Sequence, residues 1–242
     1  MTHTMADLVA AAEQGMDTFA ALVAGVPYEA KGILFSEMYF LDLCTRPVRP
    51  VRVLESGRAR GQSTLLLARI FPALPVISLE HDPASPDVAI AARRLEGLAQ
   101  VDLRFGDATR LLPAMVQDGD VVLIDGPKGF ASLRLAFRLL ATGRVRMVFI
   151  HDVGVGTPER AFLETVAPET IYSDHPDFAR TAHGLDEAAA IRLPDASAFA
   201  AVYPRAGYGY GLACLAWDGR INYRWRLLAA MVRGLRVRML GR

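Results

Sequence analysis

Lysine is nearly absent from this chain. Among 242 residues there are two lysines, Lys31 and Lys128, against 25 arginines. A solvated surface cation in such a sequence is ordinarily arginine. A proton-accepting amine has no arginine substitute, because guanidinium keeps its proton in proteins. Cysteine is also scarce: Cys44 and Cys214 are the two present. Their spacing fits no metal finger, and they read as free thiols in a reducing compartment. No apolar run approaches the roughly 18 to 20 residues of a membrane span. The opening MTHTMADLVAAAEQG lacks a basic start followed by an apolar stretch, so it does not resemble a signal peptide. The expected location is therefore the cytoplasm. The formal net charge is +1, which excludes a generic polyanion binder. The charge is uneven, however: residues 219–242 hold seven arginines and no acid.

What is present is a rhythm. Residues 5–24 and 34–44 read as helices, and the prolines of RPVRP end the second. From residue 51, short apolar strands alternate with amphipathic helices. The strands are VRVLES, PVISLEHD, VDLRFGD, DVVLIDG and RVRMVFIHD. Apolar strands with little alternation are buried on both faces, and alternation with helices means a parallel sheet. Right-handed crossovers then predict an α/β, Rossmann-like, doubly wound architecture, with ETIYSD and GLACLAWDG completing a seven-stranded, mostly parallel sheet. TPERAFLETV reads as a helix opened by Thr157, with Pro158 in its first position. The whole chain is expected to be one domain: N-terminal helices in 1–50, a cofactor-binding core in 51–153, a substrate lid in 174–211 and a basic helix in 219–242.

Sheets of this class bind ligands at the carboxyl ends of their strands. The first strand runs into ESGRARGQST, whose Gly57 and Gly61 are spaced G-x-x-x-G. That is not the G-x-G-x-x-G of a dinucleotide turn. Glu55 would repel phosphates and suits a ligand bearing an ammonium group. The segment E-x-G-x-x-x-G-x-S-T resembles the cofactor motif of class I S-adenosylmethionine-dependent methyltransferases. The match continues in order through residues 51–153. The resemblance implies that Glu55, Gly57, Gly61 and Ser63 hold S-adenosyl-L-methionine. It places Glu80 at the ribose hydroxyls, Asp107 at the adenine amino group, and Asp125 at the cofactor's edge.

The fourth strand ends in Asp125 and Lys128, the fifth in His151 and Asp152. This resembles the metal-dependent O-methyltransferases of the catechol and natural-product sugar types. The resemblance implies Asp125, His151 and Asp152 as ligands of a divalent ion, magnesium or manganese, with Lys128 as the base. His151 departs from the family's carboxylate pattern. Imidazole shifts a site from magnesium toward manganese, iron or zinc. Alternatively His151 is itself the general base of a metal-free enzyme, or the pair is structural.

Around this core, Lys31, Ser36 and Glu37 are candidates to border the cofactor. Tyr203, Tyr208 and Tyr210 fall in the expected lid, where His175 and His183 read as surface residues. The arginine-rich tail interleaves Trp225, Leu228, Met231, Val232 and Leu235 with its cations. Packing on its own domain or on a second subunit, as in a homodimer, is favoured over contact with a membrane surface. Nothing supports nucleic-acid binding. The expectation is an O-methyltransferase acting on a small hydroxylated molecule. The rivals are an NAD-dependent oxidoreductase and a non-catalytic partner- or membrane-binding module on the same fold.

Overall fold

A computed structural model describes residues 4–29, 32–190 and 211–240. The N-terminal helices are α1 (Met5–Val23) and α2 (Phe35–Thr45). Thr4 starts α1 with a reciprocal cap: Asp7 N donates to Thr4 Oγ1 at 3.2 Å, and Thr4 N donates to Asp7 Oδ2 at 3.0 Å. The alternating core follows as β1 (Val53–Ser56), α3 (Gln62–Ile70), β2 (Val76–Glu80), α4 (Asp87–Arg94) and β3 (Val101–Phe105). It continues with α5 (Ala108–Met115), β4 (Asp120–Ile124), α6 (Phe130–Leu140) and β5 (Val145–Ile150). Then come α7 (Pro158–Val166), β6 (Ile171–Tyr172), α8 (Pro176–Ala182), α9 (Gly184–Ala190) and β7 (Ala213–Ala216), and α10 (Tyr223–Leu240) ends the fold.

The sheet has seven strands in the order β3-β2-β1-β4-β5-β7-β6. β1 through β5 pair in parallel, and β7 runs antiparallel to both β5 and β6. This is the expected doubly wound, mostly parallel architecture. The chain leaves β1 toward one edge and returns beyond it at β4. Strand order therefore reverses between β1 and β4, the place where such sheets open a ligand crevice.

Successive side chains of each strand point to opposite faces, which divides the core in two. Val53, Val76, Val121, Leu123 and Phe149 face a layer built from α1, α2 and α3, with α8 and α9 beyond. Leu54, Ile77, Val122, Ile124 and Val148 face α5, α6 and α10. A fully buried side chain of this size contributes about 1.5–3 kcal/mol, so both layers are needed to hold the central strands. β3 departs from the expected two-sided burial. It is the sheet edge, and its Phe105 is 44% exposed. An edge strand lacks a neighbour and a covering helix on one side, which composition alone does not reveal. Cys44 on α2 and Cys214 on β7 are both buried and free. Burial and the neighbouring Cys214 push the Cys44 thiol well above its ordinary pKa, so Cys44 is inert rather than nucleophilic.

Candidate active site

The glycine loop after β1 is built against β4. Asp125 N donates to Ser56 O at 2.8 Å, and Gly57 N donates to Leu79 O at 3.0 Å. Gly57 has φ +86°, and a Cβ there would lie 2.7 Å from Gly126 N. Only glycine permits both the conformation and the approach. Gly61, at φ +79°, turns the chain into α3.

The loop forms one wall of a pocket of about 480 Å³. Tyr28, Gly32 and Ile33 line it too, as do Ser63 and Asp125. Gln62 ties these segments together. Its Oε1 accepts from Glu29 N at 2.6 Å, and its Nε2 donates to Ile33 O at 2.7 Å. Outside, Arg94 pairs with Glu29 at 2.7 Å and Arg60 with Asp87 at 2.9 Å.

The residues expected to hold a cofactor divide into two groups. Ser63 and Asp125 line the pocket. Glu55 does not: it lies inside the core, where its Oε2 accepts from Thr64 Oγ1 and, at 2.5 Å, from Ser78 Oγ. Burial raises its pKa. Its place in β1 explains this, because the sheet is covered on both faces there. Glu80, at the end of β2, braces the loop by accepting from Ala59 N at 2.9 Å and His81 N at 2.7 Å. Asp107 caps α5, with Oδ1 accepting from Thr109 N at 2.8 Å and Thr109 Oγ1 at 2.6 Å. These hydrogen bonds hold its carboxyl below the ordinary pKa.

Three buried polar atoms near the pocket have no partner among the described residues: Glu37 Oε1, Glu55 Oε1 and Arg58 Nε. Arg58 lines the pocket, while its Nη1 donates to Ser78 O at 2.8 Å. Unpaired buried polar groups are costly and need a reason. Of the three, Arg58 Nε belongs to a residue that lines the pocket, and its free guanidinium N–H suits a ligand carboxylate, while the Asp125 carboxylate on the same pocket suits a ligand ammonium. These pocket groups fit S-adenosyl-L-methionine, which carries both.

β4 and β5 are neighbours, so their ends converge. Asp125, His151 and Asp152 each offer a ligand atom within 4.8 Å of the others. Lys128 Nζ forms ion pairs with both Asp125 Oδ1 and Asp152 Oδ2. His151 Nδ1 lies 2.7 Å from Asp125 Oδ1 and 3.4 Å from Asp152 Oδ1. His151 Nε2 lies 3.1 Å from Glu37 Oε2. Glu37, on the first turn of α2, also accepts from Leu34 N at 2.8 Å.

The charges order themselves. Burial alone would lower the His151 pKa, but Glu37 and Asp125 outweigh it and raise it well above the ordinary value. Burial would raise Asp125, but His151 and Lys128 hold it well below the usual carboxylate range. Burial likewise opposes the Lys128 charge, and Asp125 and Asp152 overcome it to raise the Lys128 pKa. Each His151 nitrogen thus faces a carboxylate, an arrangement that favours the charged ring. Asp125 and Asp152, with a cation held between them, suit a divalent ion with oxygen ligands.

Glu37 is the strongest member of the site that sequence reasoning treated as peripheral. Its only signal was an acid in the first turn of a helix before the first strand. Ser36 is buried beside it and bonds through its backbone N–H to Asp186 at 3.3 Å. Lys31, Tyr203, Tyr208 and Tyr210 lie outside the described residues, as does the 191–210 part of the lid expected over 174–211, whose first part forms α8 and α9. His175 caps α8, and His183 pairs with Glu187 at 2.7 Å, away from the cluster.

No protein-family model matches the chain. A catechol O-methyltransferase of Niastella koreensis is 31% identical over 134 residues, which is 52% of this chain and 60% of that protein. A catechol O-methyltransferase of Mycobacterium tuberculosis is 35% identical over 136 residues, 53% of this chain and 62% of that protein. An O-methyltransferase of Streptomyces achromogenes, solved with S-adenosylmethionine, is 18% identical over 90% of this chain and 92% of that one, at a TM-score of 0.45. Over about half of its length, the chain is thus similar in sequence to catechol O-methyltransferases, and it spans about three-fifths of theirs.

Proposed function

We propose that this protein is an S-adenosyl-L-methionine-dependent O-methyltransferase that methylates a hydroxyl of a small, catechol-like molecule with the help of a divalent cation, magnesium or manganese. The observation that carries the reading is the convergence of Asp125, Lys128 and Asp152 at the ends of β4 and β5, with Asp125 also lining the pocket. The similarity to two catechol O-methyltransferases supports it.

When bound, S-adenosyl-L-methionine supplies an electrophilic methyl, and a divalent cation lowers the pKa of a hydroxyl that it coordinates. Ser63, Glu80 and Asp107 are assigned to the cofactor, with Gly57 and Gly61 shaping the loop. Asp107 Oδ2 makes no hydrogen bond among the described residues, and the Glu80 oxygens keep a lone pair beyond their three backbone bonds.

Asp125 and Asp152 are assigned to the metal. His151 Nδ1 hydrogen-bonds Asp125 and its Nε2 hydrogen-bonds Glu37, which fixes how the Asp125 carboxylate points. We therefore assign His151 to positioning Asp125 rather than to ligation or proton transfer. Lys128 is the proton acceptor. The two acids that keep Nζ protonated are the same two that hold the metal. With Asp125 and Asp152 holding a cation, the causes that raise the Lys128 pKa would weaken and its amine would be available to take a proton.

The test is methyl transfer from labelled cofactor to catechols, simple phenols and sugars, with magnesium, with manganese and with a chelator. Metal-dependent transfer to adjacent hydroxyls is expected. Equal transfer under chelation would replace this scheme with the metal-free one. Calorimetry with S-adenosylhomocysteine and NAD decides the cofactor: binding of NAD alone would end the methyltransferase reading.

A further inference from the structure

α10 is amphipathic twice over. Its inner side packs on α6: Tyr223 and Ala230 are buried, and a Cβ on Gly234 would lie 2.9 Å from Phe130 Cβ. The helix follows β7, which runs antiparallel to β5. It therefore climbs toward the carboxyl ends of the parallel strands and meets the first residue of α6 there. Its outer side carries Trp225, Leu228, Met231, Val232, Leu235 and Met239, all exposed, with Leu228 at 58% and Met239 at 73%. Successive helical residues turn by about 100°, so these six share one stripe about 120° wide, opposite the buried side. Arg238 flanks the stripe on one edge and Arg236 on the other, Arg224 lies within it near its first turn, and Arg233 stands further round the helix.

The charges say what covers this stripe. Arg220 pairs with Asp218 at 2.6 Å, and Arg226 pairs with Glu169 through both terminal nitrogens. Arg224, Arg233, Arg236 and Arg238 have no acidic partner among the described residues. No acid occurs anywhere in residues 219–242. The spacing 225, 228, 232, 235, 239 alternates three and four, as a helix-pairing seam does. A second copy of α10 would bring arginine against arginine at the flanking positions, and like charges there oppose pairing. An anionic bilayer removes the conflict. The apolar stripe enters the interface, the tryptophan sits at the headgroup level, and the arginines reach lipid phosphates.

We infer that α10 docks the protein, by its outer face, on an anionic membrane surface. The helix lies in the interface and does not cross it: no helix among the described residues is long and apolar enough to span a membrane. This inference stands independently of the proposed chemistry, because the docking face is on the side of α10 away from the domain.

The test is co-sedimentation of the full chain with vesicles of phosphatidylcholine alone and of phosphatidylcholine with phosphatidylglycerol. Binding should be at least about tenfold stronger to the anionic vesicles and should fall on raising the salt. The double variant Leu228→Glu/Leu235→Glu should lose vesicle binding while keeping the melting temperature of the parent. Arg224→Gln/Arg238→Gln keeps the apolar stripe and should lose most of the preference for anionic vesicles. That second variant decides the matter even if the first does not fold. Equal binding to both vesicle types would overturn the inference. So would unchanged binding in both variants, or sedimentation velocity showing a dimer that the first variant dissolves without any vesicle binding in the parent.

Discussion

At the scale of the residue, Lys128 is the sharpest point. In a chain that otherwise uses arginine, a lysine stands where two acids and a pocket meet. Lys128→Arg keeps the charge and both ion pairs but cannot accept a proton. It should lower kcat by about 100- to 10,000-fold, as expected for loss of a general base, while calorimetric cofactor affinity stays near that of the parent. Near-normal turnover would return Lys128 to the surface cations. Gly57 makes a second residue-scale claim. Gly57→Ala forces a positive φ on alanine and drives its Cβ into the backbone of residues 125 and 126. The loss of stability should be about 2–4 kcal/mol in denaturant unfolding, with cofactor binding weakened as well.

At the scale of the element, the start of α2 is held from outside its own sequence. Asp186 of α9 accepts from Phe35 N at 2.7 Å and from Tyr28 Oη at 3.3 Å. A carboxylate at a helix N-terminus is favoured by the helix dipole, but this one is fully buried. Burial, with Glu37 nearby, pushes its pKa up to about 7, from an ordinary 3.8. The sign follows from linkage. Below pH 4, folded and unfolded chains both hold the proton. Between pH 4 and 7 the unfolded chain sheds it first, so stability falls as pH rises and levels off above 7. Asp186→Asn keeps an acceptor for the helix and removes the titration. Its stability should vary less across pH 4 to 7 than that of the parent, by up to ~4 kcal/mol, as read by urea unfolding at each pH. Identical pH profiles would mean that Asp186 is ionised throughout. The same contact explains why α2 matters to the site. It sets Glu37, and through Glu37 the orientation of His151.

At the scale of the whole molecule, the C-terminal helix completes one side of the core as well as presenting an outer face. Ala230 and Tyr223 belong to the layer that also buries Leu133, Phe137 and Val148. Removing residues 219–242 should therefore expose that layer and lower Tm by several degrees or more, in contrast to the outer-face variants. A deletion with unchanged Tm would mean that α10 is peripheral to the fold. The parallel sheet places every site residue at one edge, because each loop after β1, β2, β4 and β5 emerges on the same side. Residues separated by more than a hundred positions, such as Glu37 and His151, meet there without any local signal between them.

Much of this was legible in one dimension. Hydrophobic runs of strand length, glycines after the first run and acids after the later ones reflect local rules of backbone geometry and burial. They yielded the doubly wound sheet, the G-x-x-x-G loop and the convergence of Asp125, Lys128, His151 and Asp152. What the sequence could not yield depends on distance in space. That Glu55 lies in the core, that β3 is an edge, and that Glu37 meets His151 from a helix more than a hundred residues away are packing outcomes. The sequence by itself determined which side chains could carry charge and where the strands end. Only the tertiary structure decided which charges face one another, and mutual proximity is what favours the charged form of both His151 and Lys128 beside Asp125.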